Sequence, residues 1–374
     1  PFVTPCVPSE IVLPVRPRFA TAGDGVVETE CIPNVLHFVK VDNSTKNFTF
    51  LHWLVSYSAM RNFKPDEMIF HVDHEPNGTW WELVPGGPKT KVNVFGEEGI
   101  PRKTSRGVKI EKFQHVSDFV RLKALTERGG VYMDLDSLCL KPFWPKLLCS
   151  GFEAILGFQH ERRREVAVGV MAASKGSPFM AQLFNESDRV FDGRWTTHSV
   201  KLLSRIVGSG DPRVLVLGED AFYPMYSRLK LLSGKEFFEF RRILKIVQRD
   251  ENSSSSPSPK SSSSKTTVAT TKTRGELKGM KSDGFFSWCQ TYALHLFASH
   301  KKMTPAIERI STPCGAFNQP PMSRAPIDDA VAALVCSAIN DGSLPREHVE
   351  QCKKVVDSWC SIHYDDFLPC FESP

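Results

Sequence analysis

Short apolar runs alternate with longer amphipathic stretches along the first part of the chain. Residues 35–39 form an apolar run behind a Pro-Asn pair, as expected of a buried strand. Residues 50–63 then carry apolar side chains at helical spacing, and residues 68–72 form a second apolar run. Because a strand, a helix and a strand in this order favour a right-handed crossover, we expect parallel neighbouring strands.

A second helix and the strand after it follow in the middle of the chain. Residues 116–128 have apolar side chains at helical spacing, and Gly129-Gly130 is expected to end the helix because glycine adopts left-handed conformations. Residues 131–133 then enter a buried strand that leads into Asp134-Leu135-Asp136. The fold class predicted from this pattern is α/β. Further strands are predicted at 154–158, 167–173 and 214–217, and a further helix at 178–191.

Composition divides the chain into regions. Residues 1–30 are rich in Pro, Val and Thr and are interpreted as a stem or lead-in to the main domain over 31–300. Within that domain, the Ser/Thr/Lys-rich segment 251–283 is predicted to be a disordered insertion, because it has too few apolar residues to bury. Residues 301–374 hold five of the ten cysteines and are interpreted as a small helical extension tied by disulfides. Its helical patterns cover 327–339 and 345–357.

The overall composition is that of a packed protein. A hydrophobic fraction of 41% in 374 residues predicts a sizeable core. The 47 basic and 42 acidic residues nearly balance, so we expect no nucleic-acid partner. No apolar run reaches the roughly 18 residues of a membrane helix. The chain begins at Pro1 without a Met, as a fragment or a processed form does, and a missing N-terminal anchor or signal stays an open alternative.

Two features favour the secretory pathway. The ten cysteines contain no Cys-x-x-Cys pair, so disulfide bonds are expected rather than a zinc site. The sequence also has five N-glycosylation motifs, which are typical of an exposed, lumenal glycoprotein. They begin at Asn43, Asn47, Asn77, Asn185 and Asn252.

Asp134 and Asp136 are the main candidates for chemistry. They follow the predicted strand 131–133, and ligands of α/β folds bind at the carboxyl ends of strands. Two partly buried carboxylates repel each other unless a cation neutralises them, and Mn²⁺ or Mg²⁺ favours such oxygen ligands. An isolated Asp-x-Asp is more often an ordinary strand-end turn, so the interpretation depends on the surrounding residues.

The surrounding residues resemble a known family. Residues 117–121 read Ser-Asp-x-x-Arg, and residues 129–136 read Gly-Gly-x-Tyr-x-Asp-x-Asp. This combination resembles the DXD-motif glycosyltransferases, in the branch that includes Golgi α-mannosyltransferases and, more distantly, the glucosylating clostridial toxins. Weaker similarities to the same family lie at 32–38, 168–173 and 292–296.

The resemblance implies a fold and an activity. The implied fold is a GT-A type, Rossmann-like mixed and mainly parallel sheet flanked by helices. The implied reaction is retaining transfer of a hexose or N-acetylhexosamine from a nucleotide-sugar donor to a glycan, glycolipid or glycoprotein acceptor. A UDP-sugar is favoured as donor and GDP-mannose is an alternative, with Mn²⁺ or Mg²⁺ as cofactor. The implied location is the Golgi lumen, with secretion as the alternative.

The resemblance also implies roles for individual residues. Asp136 is expected to bind the metal directly, and Asp134 to contact the ribose or the metal through water. His295 would complete the metal shell, although a lone His in an apolar helix is usually core. Asp118 and Arg121 lie three apart on one helical face and are expected to contact the donor sugar, with Arg121 also reaching phosphate. The catalytic set is Asp118, Arg121, Asp134 and Asp136, and the donor-binding set is His37, Phe38, Asp118, Arg121, Tyr132, Asp134 and Ser199.

One position departs from the family pattern. Relatives often carry Asn-Ser-Val where this chain has His198-Ser-Val, which leaves the role of His198 open. Two other classes also stay open. Aspartate-nucleophile phosphatases share Asp-x-Asp after a strand, but they have Thr or Val where Leu138 stands here. A transferase-like protein that binds glycans without turnover is the third interpretation.

Overall fold

The structure is a computed structural model. It describes residues 31–42, 47–85, 89–95, 101–143, 145–226, 291–298, 304–318 and 326–361. The predicted lead-in 1–30 and the predicted disordered insertion 251–283 lie outside the described residues. Among the described helices, none combines the length and the hydropathy that crossing a membrane requires.

A seven-stranded sheet organises the described residues. Its strand order is β3-β2-β1-β4-β7-β6-β8, and among these strands β7 alone runs antiparallel to its neighbours. The predicted mixed, mainly parallel α/β sheet is therefore confirmed. The strands are β1 Val35–Lys40, β2 Glu67–Val72, β3 Thr90–Val94, β4 Gly130–Met133, β6 Ala154–His160, β7 Glu165–Ala173 and β8 Val214–Leu217.

Helices cover both faces of the sheet. Leu36 and Phe38 of β1 pack in one apolar cluster with the helix that begins at Phe50, whereas Val39 packs in a second cluster with side chains of 116–125 and 179–183. This alternation follows from the period of two along a strand and explains why the strands are apolar on both faces. The α-helices described before residue 227 are α1 Phe50–Ser58, α2 Thr79–Glu82, α3 Phe113–Arg128, α4 Pro178–Val190, α5 Leu202–Gly208 and α6 Glu219–Phe222.

The predicted helix over 50–63 is present but changes its geometry. Thr49 caps α1 by accepting a hydrogen bond from the backbone N–H of His52. After Ser58 the chain continues as the π-helix Ala59–Phe63, and it ends at Lys64, which adopts φ 54° before a proline. The left-handed conformation at Lys64 allows the chain to turn into β2.

The Gly129-Gly130 pair is required where α3 returns to the sheet. Both glycines have positive φ, 67° and 107°. A Cβ on Gly129 would lie 2.4 Å from the backbone nitrogen of Lys175, and one on Gly130 would lie 2.5 Å from the carbonyl oxygen of Val35. Any other residue would therefore push α3 and β4 away from their neighbours.

Two elements differ from the prediction. Strand β3 was not predicted; four of its five residues are exposed, and Val92 and Val94 are its only apolar residues. Residues around His295 form strand β9 (Ala293–His295) rather than the expected helix, and β9 pairs antiparallel with β5 (Ser137–Cys139). The physical reason is tertiary pairing: Ser137 lies opposite His295, so β9 returns directly to the Asp134–Asp136 turn.

The described part of the C-terminal region is helical, as predicted, and packs against α1. It contains helices α7 (Thr304–Arg309) and α8 (Pro326–Asn340) and the 3-10 helix Arg346–Cys352. The Tyr57 hydroxyl of α1 donates a hydrogen bond to Asp341 Oδ2 at 2.6 Å and lies within hydrogen-bond distance, 2.8 Å, of the Ser337 hydroxyl. Three disulfides confirm the prediction that cysteines pair: Cys31–Cys149, Cys314–Cys352 and Cys336–Cys360.

Candidate functional site

The two aspartates and the late histidine meet at the carboxyl end of β4. The Asp134 N–H donates to the Gly169 carbonyl at 2.8 Å, which fixes the start of the Asp134–Asp136 turn against β7. His295 Nε2 lies 3.0 Å from Asp134 Oδ2 and 3.5 Å from Asp136 Oδ1. One ligand atom from each of the three residues lies within 4.8 Å of the others. We call Asp134, Asp136 and His295 the acidic cluster.

Gly169 gives this cluster its space. A Cβ on Gly169 would lie 2.6 Å from His295 Nε2 and 2.8 Å from Asp134 Oδ2. A side chain at this position would therefore displace the two groups that face each other. Glycine is therefore required at position 169 by the packing of the acidic cluster, and not by the pairing of β7 in the sheet.

Both carboxylate oxygens of Asp134 are engaged. Arg121 Nη1 lies 3.1 Å from Asp134 Oδ1, and the Tyr132 hydroxyl donates to the same oxygen at 2.5 Å. The Arg121 guanidinium also lies over the Tyr132 ring, 4.4 Å from its centroid. With His295 on Oδ2, Asp134 is held from both sides.

Asp136 has fewer contacts. Its Oδ2 accepts a hydrogen bond from the Ala298 N–H at 2.8 Å, and Oδ1 faces His295. Phe297 adopts φ 51°, and this turn brings the Ala298 N–H back to the carboxylate. Strained backbone of this kind is often found at functional sites.

The charges of the cluster do not balance. Burial and the neighbouring Asp134 raise the pKa of Asp136. Burial opposes ionisation of Asp134 as well, but Arg121 and His295 hold its pKa below the ordinary value. Burial alone would lower the pKa of His295, whereas Asp136 and Asp134 raise it above the ordinary value. A divalent cation between the two carboxylates would relieve this repulsion, and two oxygens with one imidazole nitrogen are ligands that Mn²⁺ accepts.

Asp118 and Arg121 extend the site along α3. Arg121 Nη2 lies 3.3 Å from Asp118 Oδ1, so the predicted pairing on one helical face is present. Arg121 also donates to the Val168 carbonyl at 2.9 Å and to Ser117 Oγ at 3.1 Å. Since Arg121 contacts both Asp118 and Asp134, it joins the two halves of the site. A small cavity beside them is lined by Asp118, Arg121, Leu122, Val168, Leu183, Ser187, His198 and Ser199.

The remaining predicted donor-binding residues fall into two groups. Tyr132 contacts Asp134, and Ser199 lines the cavity beside Asp118. His37 and Phe38 are fully buried and do not join the cluster. His37 contacts His71 and the Gly129 carbonyl, and the Phe38 ring lies 5.2 Å from that of Phe70. Because neither offers surface to a ligand in this arrangement, we do not retain them in the proposed site.

Sequence reasoning missed two contributors. His198 Nε2 lies 3.0 Å from Asp118 Oδ2, a contact across 80 residues that only the departure from the family's Asn could have suggested. Gly169 was noted in the sequence as part of a predicted strand and of a segment similar to the family, but its role depends on the residues packed opposite it. Both contributions come from tertiary structure rather than from a local pattern.

The comparison with protein families agrees with this geometry. Residues 52–154 match the family described as the glycosyltransferase sugar-binding region containing the DXD motif. This match covers 103 of the 374 residues and includes Asp118, Arg121, Asp134 and Asp136. It confirms the predicted resemblance to the DXD-motif glycosyltransferases, and the mixed, mainly parallel sheet agrees with the α/β fold that the resemblance implied.

Two curated proteins are similar to this chain. Glucan organizing enzyme 1 of Cryptococcus neoformans var. grubii serotype A is 28% identical over 210 residues, which cover 52% of this chain and 55% of that protein. Subversion of eukaryotic traffic protein A of Legionella pneumophila is 25% identical over 156 residues, covering 40% of this chain and 24% of that protein. The chain thus spans about half, or less, of the length of these relatives.

Solved glycosyltransferase structures are also similar, at low scores. PaToxG glycosyltransferase has 15% identity and a TM-score of 0.37, covering 49% of this chain and 71% of that chain. The galactosyltransferase LgtC, solved with donor and acceptor sugar analogues, has 14% identity and a TM-score of 0.32, covering 50% and 74%. GlyE of Streptococcus pneumoniae has 10% identity and a TM-score of 0.40, covering 88% and 64%.

Proposed function

We propose that this chain is a retaining glycosyltransferase that moves a sugar from a nucleotide-sugar donor to a glycan, glycolipid or glycoprotein acceptor. A hexose or an N-acetylhexosamine is the transferred sugar, a UDP-sugar is the favoured donor and GDP-mannose is the alternative. The observation that carries the proposal is the acidic cluster, joined through Arg121 to Asp118 at the carboxyl edge of the sheet. Retention is inherited from the family resemblance alone.

The donor atoms of the acidic cluster fit a divalent cation, Mn²⁺ or Mg²⁺. In the proposal Asp136 is the direct carboxylate ligand, because its oxygens have fewer protein contacts than those of Asp134. His295 supplies an imidazole nitrogen, and Asp134 orients both Arg121 and His295. When bound, the cation supplies charge neutralisation for the diphosphate as the nucleotide leaves.

Asp118 and Arg121 are proposed to hold the donor sugar and its phosphate. Arg121 is nearly fully buried, so its guanidinium has a fixed direction. A positive charge fixed in a poorly solvated site is suited to stabilising an anionic leaving group. Asp118 can accept a hydrogen bond from a sugar hydroxyl next to it, and Ser199 lines the same cavity. Tyr132 is buried and would act on the donor only through its hydrogen bond to Asp134.

The proposed location is the secretory pathway, in the Golgi lumen, with secretion as the alternative. The three disulfides of the described residues support an oxidising compartment. Asn47, Asn77 and Asn185 of the glycosylation motifs are exposed, as glycan attachment requires.

Hydrolysis of a panel of nucleotide-sugars with Mn²⁺ tests the function. We expect slow hydrolysis of one donor, and a loss of at least about 100-fold in Asp136→Asn because a direct metal ligand is removed. Asp211→Asn is the matched control, since Asp211 is a partly buried aspartate paired with Arg213 outside the site. It should retain the wild-type rate.

Other outcomes would replace the proposal. Preference for simple phosphate esters would indicate an aspartate-nucleophile phosphatase. Binding of a glycan without hydrolysis of any donor would indicate a transferase-like binding protein. An Asp136→Asn variant as active as the wild type would remove Asp136 from the metal site.

A further inference from the structure

We infer that His198 is a positioning residue that fixes the direction of the Asp118 carboxylate towards the donor sugar. The inference rests on the proposed function, because it assigns Asp118 to the donor. His198 lies in the π-helix Thr197–Lys201, and its Nε2 atom is 3.0 Å from Asp118 Oδ2. The other oxygen of Asp118 faces Arg121. With one partner on each oxygen, the plane of the carboxylate is defined.

The local backbone directs His198 inward. In the π-helix both His198 and Ser199 are buried, and both line the cavity beside Asp118 and Arg121. The Ser187 hydroxyl of α4 donates to the His198 carbonyl at 2.8 Å, which ties the π-helix to α4. Single π-turns are frequent at functional sites because they redirect side chains.

Aromatic rings hold the imidazole in one orientation. The Phe119 ring is stacked on it, with centroids 5.6 Å apart and planes at 9°. The rings of Phe191 and His115 contact it edge-on, each with centroids 4.8 Å apart. These rings leave the imidazole little freedom to rotate, so its Nε2 atom points to Asp118.

The hydrogen-bond partners assign the tautomer. His198 Nδ1 is buried and has no hydrogen-bond partner among the described residues. A buried N–H without an acceptor is costly, so the proton belongs on Nε2 and is donated to Asp118. With Nε2–H donating to Oδ2, the remaining lone pairs of the Asp118 carboxylate can accept a hydrogen bond from a sugar hydroxyl.

Two substitutions separate positioning from packing. His198→Gln keeps an N–H donor at the place of Nε2 but loses the aromatic ring. His198→Phe keeps the ring between Phe119 and Phe191 but loses the donor. His198→Asn is a further control, because its shorter amide ends near the place of Nδ1 and does not reach Asp118.

The experiment measures the donor KM, kcat and Mn²⁺ affinity of each variant, together with its melting temperature. We expect the donor KM to rise at least about tenfold in His198→Phe and His198→Asn, and to stay within about threefold in His198→Gln. Mn²⁺ affinity should be unchanged in all three, because Asp118 is outside the acidic cluster. His198→Phe should melt at a higher temperature than His198→Gln, since it keeps the ring contacts.

The contrary outcomes are distinct. A packing role predicts that His198→Phe keeps the wild-type KM and that His198→Gln does not, and this order would overturn the inference. If the wild type turns over no donor, the proposed function fails. Crystal structures of the variants then still test whether His198 orients the Asp118 carboxylate. An Asp118 carboxylate in the same orientation in His198→Phe as in the wild type would then overturn the positioning role.

Discussion

Two buried groups that contain histidine lie beside β4, and they differ in how their polar atoms are matched. The first is the pair His37 and His71. His37 Nε2 lies 2.9 Å from the Gly129 carbonyl, His37 Nδ1 lies 3.0 Å from His71 Nε2, and Asn93 Nδ2 lies 3.1 Å from His71 Nδ1. With both rings neutral, each donor in this series of hydrogen bonds faces one acceptor.

The second group is the acidic cluster, where charges are in excess. Its two carboxylates, Asp134 and Asp136, both face His295, and Arg121 is an ion-pair partner of Asp134 and not of Asp136. The pKa shifts of the histidines in the two groups reflect this difference in charge. Burial lowers the pKa of His37 to about 4, whereas the carboxylates raise the pKa of His295 against the effect of burial.

The difference separates a structural group from a functional one. A polar group whose donors and acceptors are all matched needs no ligand and stabilises the fold. A group with excess charge is stable only when a ligand completes it, or when part of the folding free energy offsets the repulsion. By this criterion we propose the acidic cluster as the ligand site, and we assign His37 to the scaffold that holds Gly129.

The largest predicted effect is a loss of donor turnover in the Gly169→Ala variant. The new methyl group would lie 2.6 Å from His295 Nε2, so the cluster must shift. We expect donor turnover to fall about 100-fold, because displacement of about 1 Å can cost that much in a reacting site. Steady-state hydrolysis of the donor with Mn²⁺ measures the effect.

Gly208→Ala is the matched control for this substitution. No atom lies within 4 Å of the Cβ that it adds, so activity should be unchanged. Equal activity of Gly169→Ala and the wild type would contradict the contact between β7 and the acidic cluster.

A smaller effect is predicted on stability at acid pH. Burial lowers the folded-state pKa of His37 to about 4 and of His71 to about 3, against an ordinary value of 6.5. Below 6.5 the unfolded chain therefore binds more protons than the folded protein. The contribution of these two neutral histidines to the free energy of unfolding is fully present above pH 6.5. It is lost progressively as the pH falls towards 4. We expect a loss of about 2 kcal/mol per histidine between pH 7 and pH 5.

Urea denaturation at a series of pH values measures this loss. His37→Gln keeps an amide N–H for the Gly129 carbonyl and removes one titrating ring, so its stability should fall less steeply with acid. Its affinity for Mn²⁺ should equal that of the wild type. An unchanged acid slope in His37→Gln would show that His37 is not buried in its neutral form.

Much of the fold was predictable because burial on both faces makes parallel strands apolar. The runs at 35–39, 68–72 and 131–133 correspond to β1, β2 and β4. Strand β3 escaped prediction because it lies at the sheet edge and is exposed, so hydrophobicity does not mark it. Strand β9 escaped because its conformation depends on pairing with β5, more than 150 residues earlier in the chain.

The site was predictable where its residues are close in sequence. Asp118 and Arg121 share a helical face, and Asp134 and Asp136 share a strand end, so local periodicity relates each pair. The contact of His198 with Asp118 and the space beside Gly169 depend on how α3, β7 and the π-helix pack. No local pattern contains that information.

The central claim is that the acidic cluster binds a divalent cation, and titration calorimetry with Mn²⁺ tests it most directly. We predict binding of one Mn²⁺ per chain by the wild type and by His37→Gln, and at least about tenfold weaker binding by Asp136→Asn. If Asp136→Asn binds Mn²⁺ as tightly as the wild type, or if the wild type binds none, the account is contradicted.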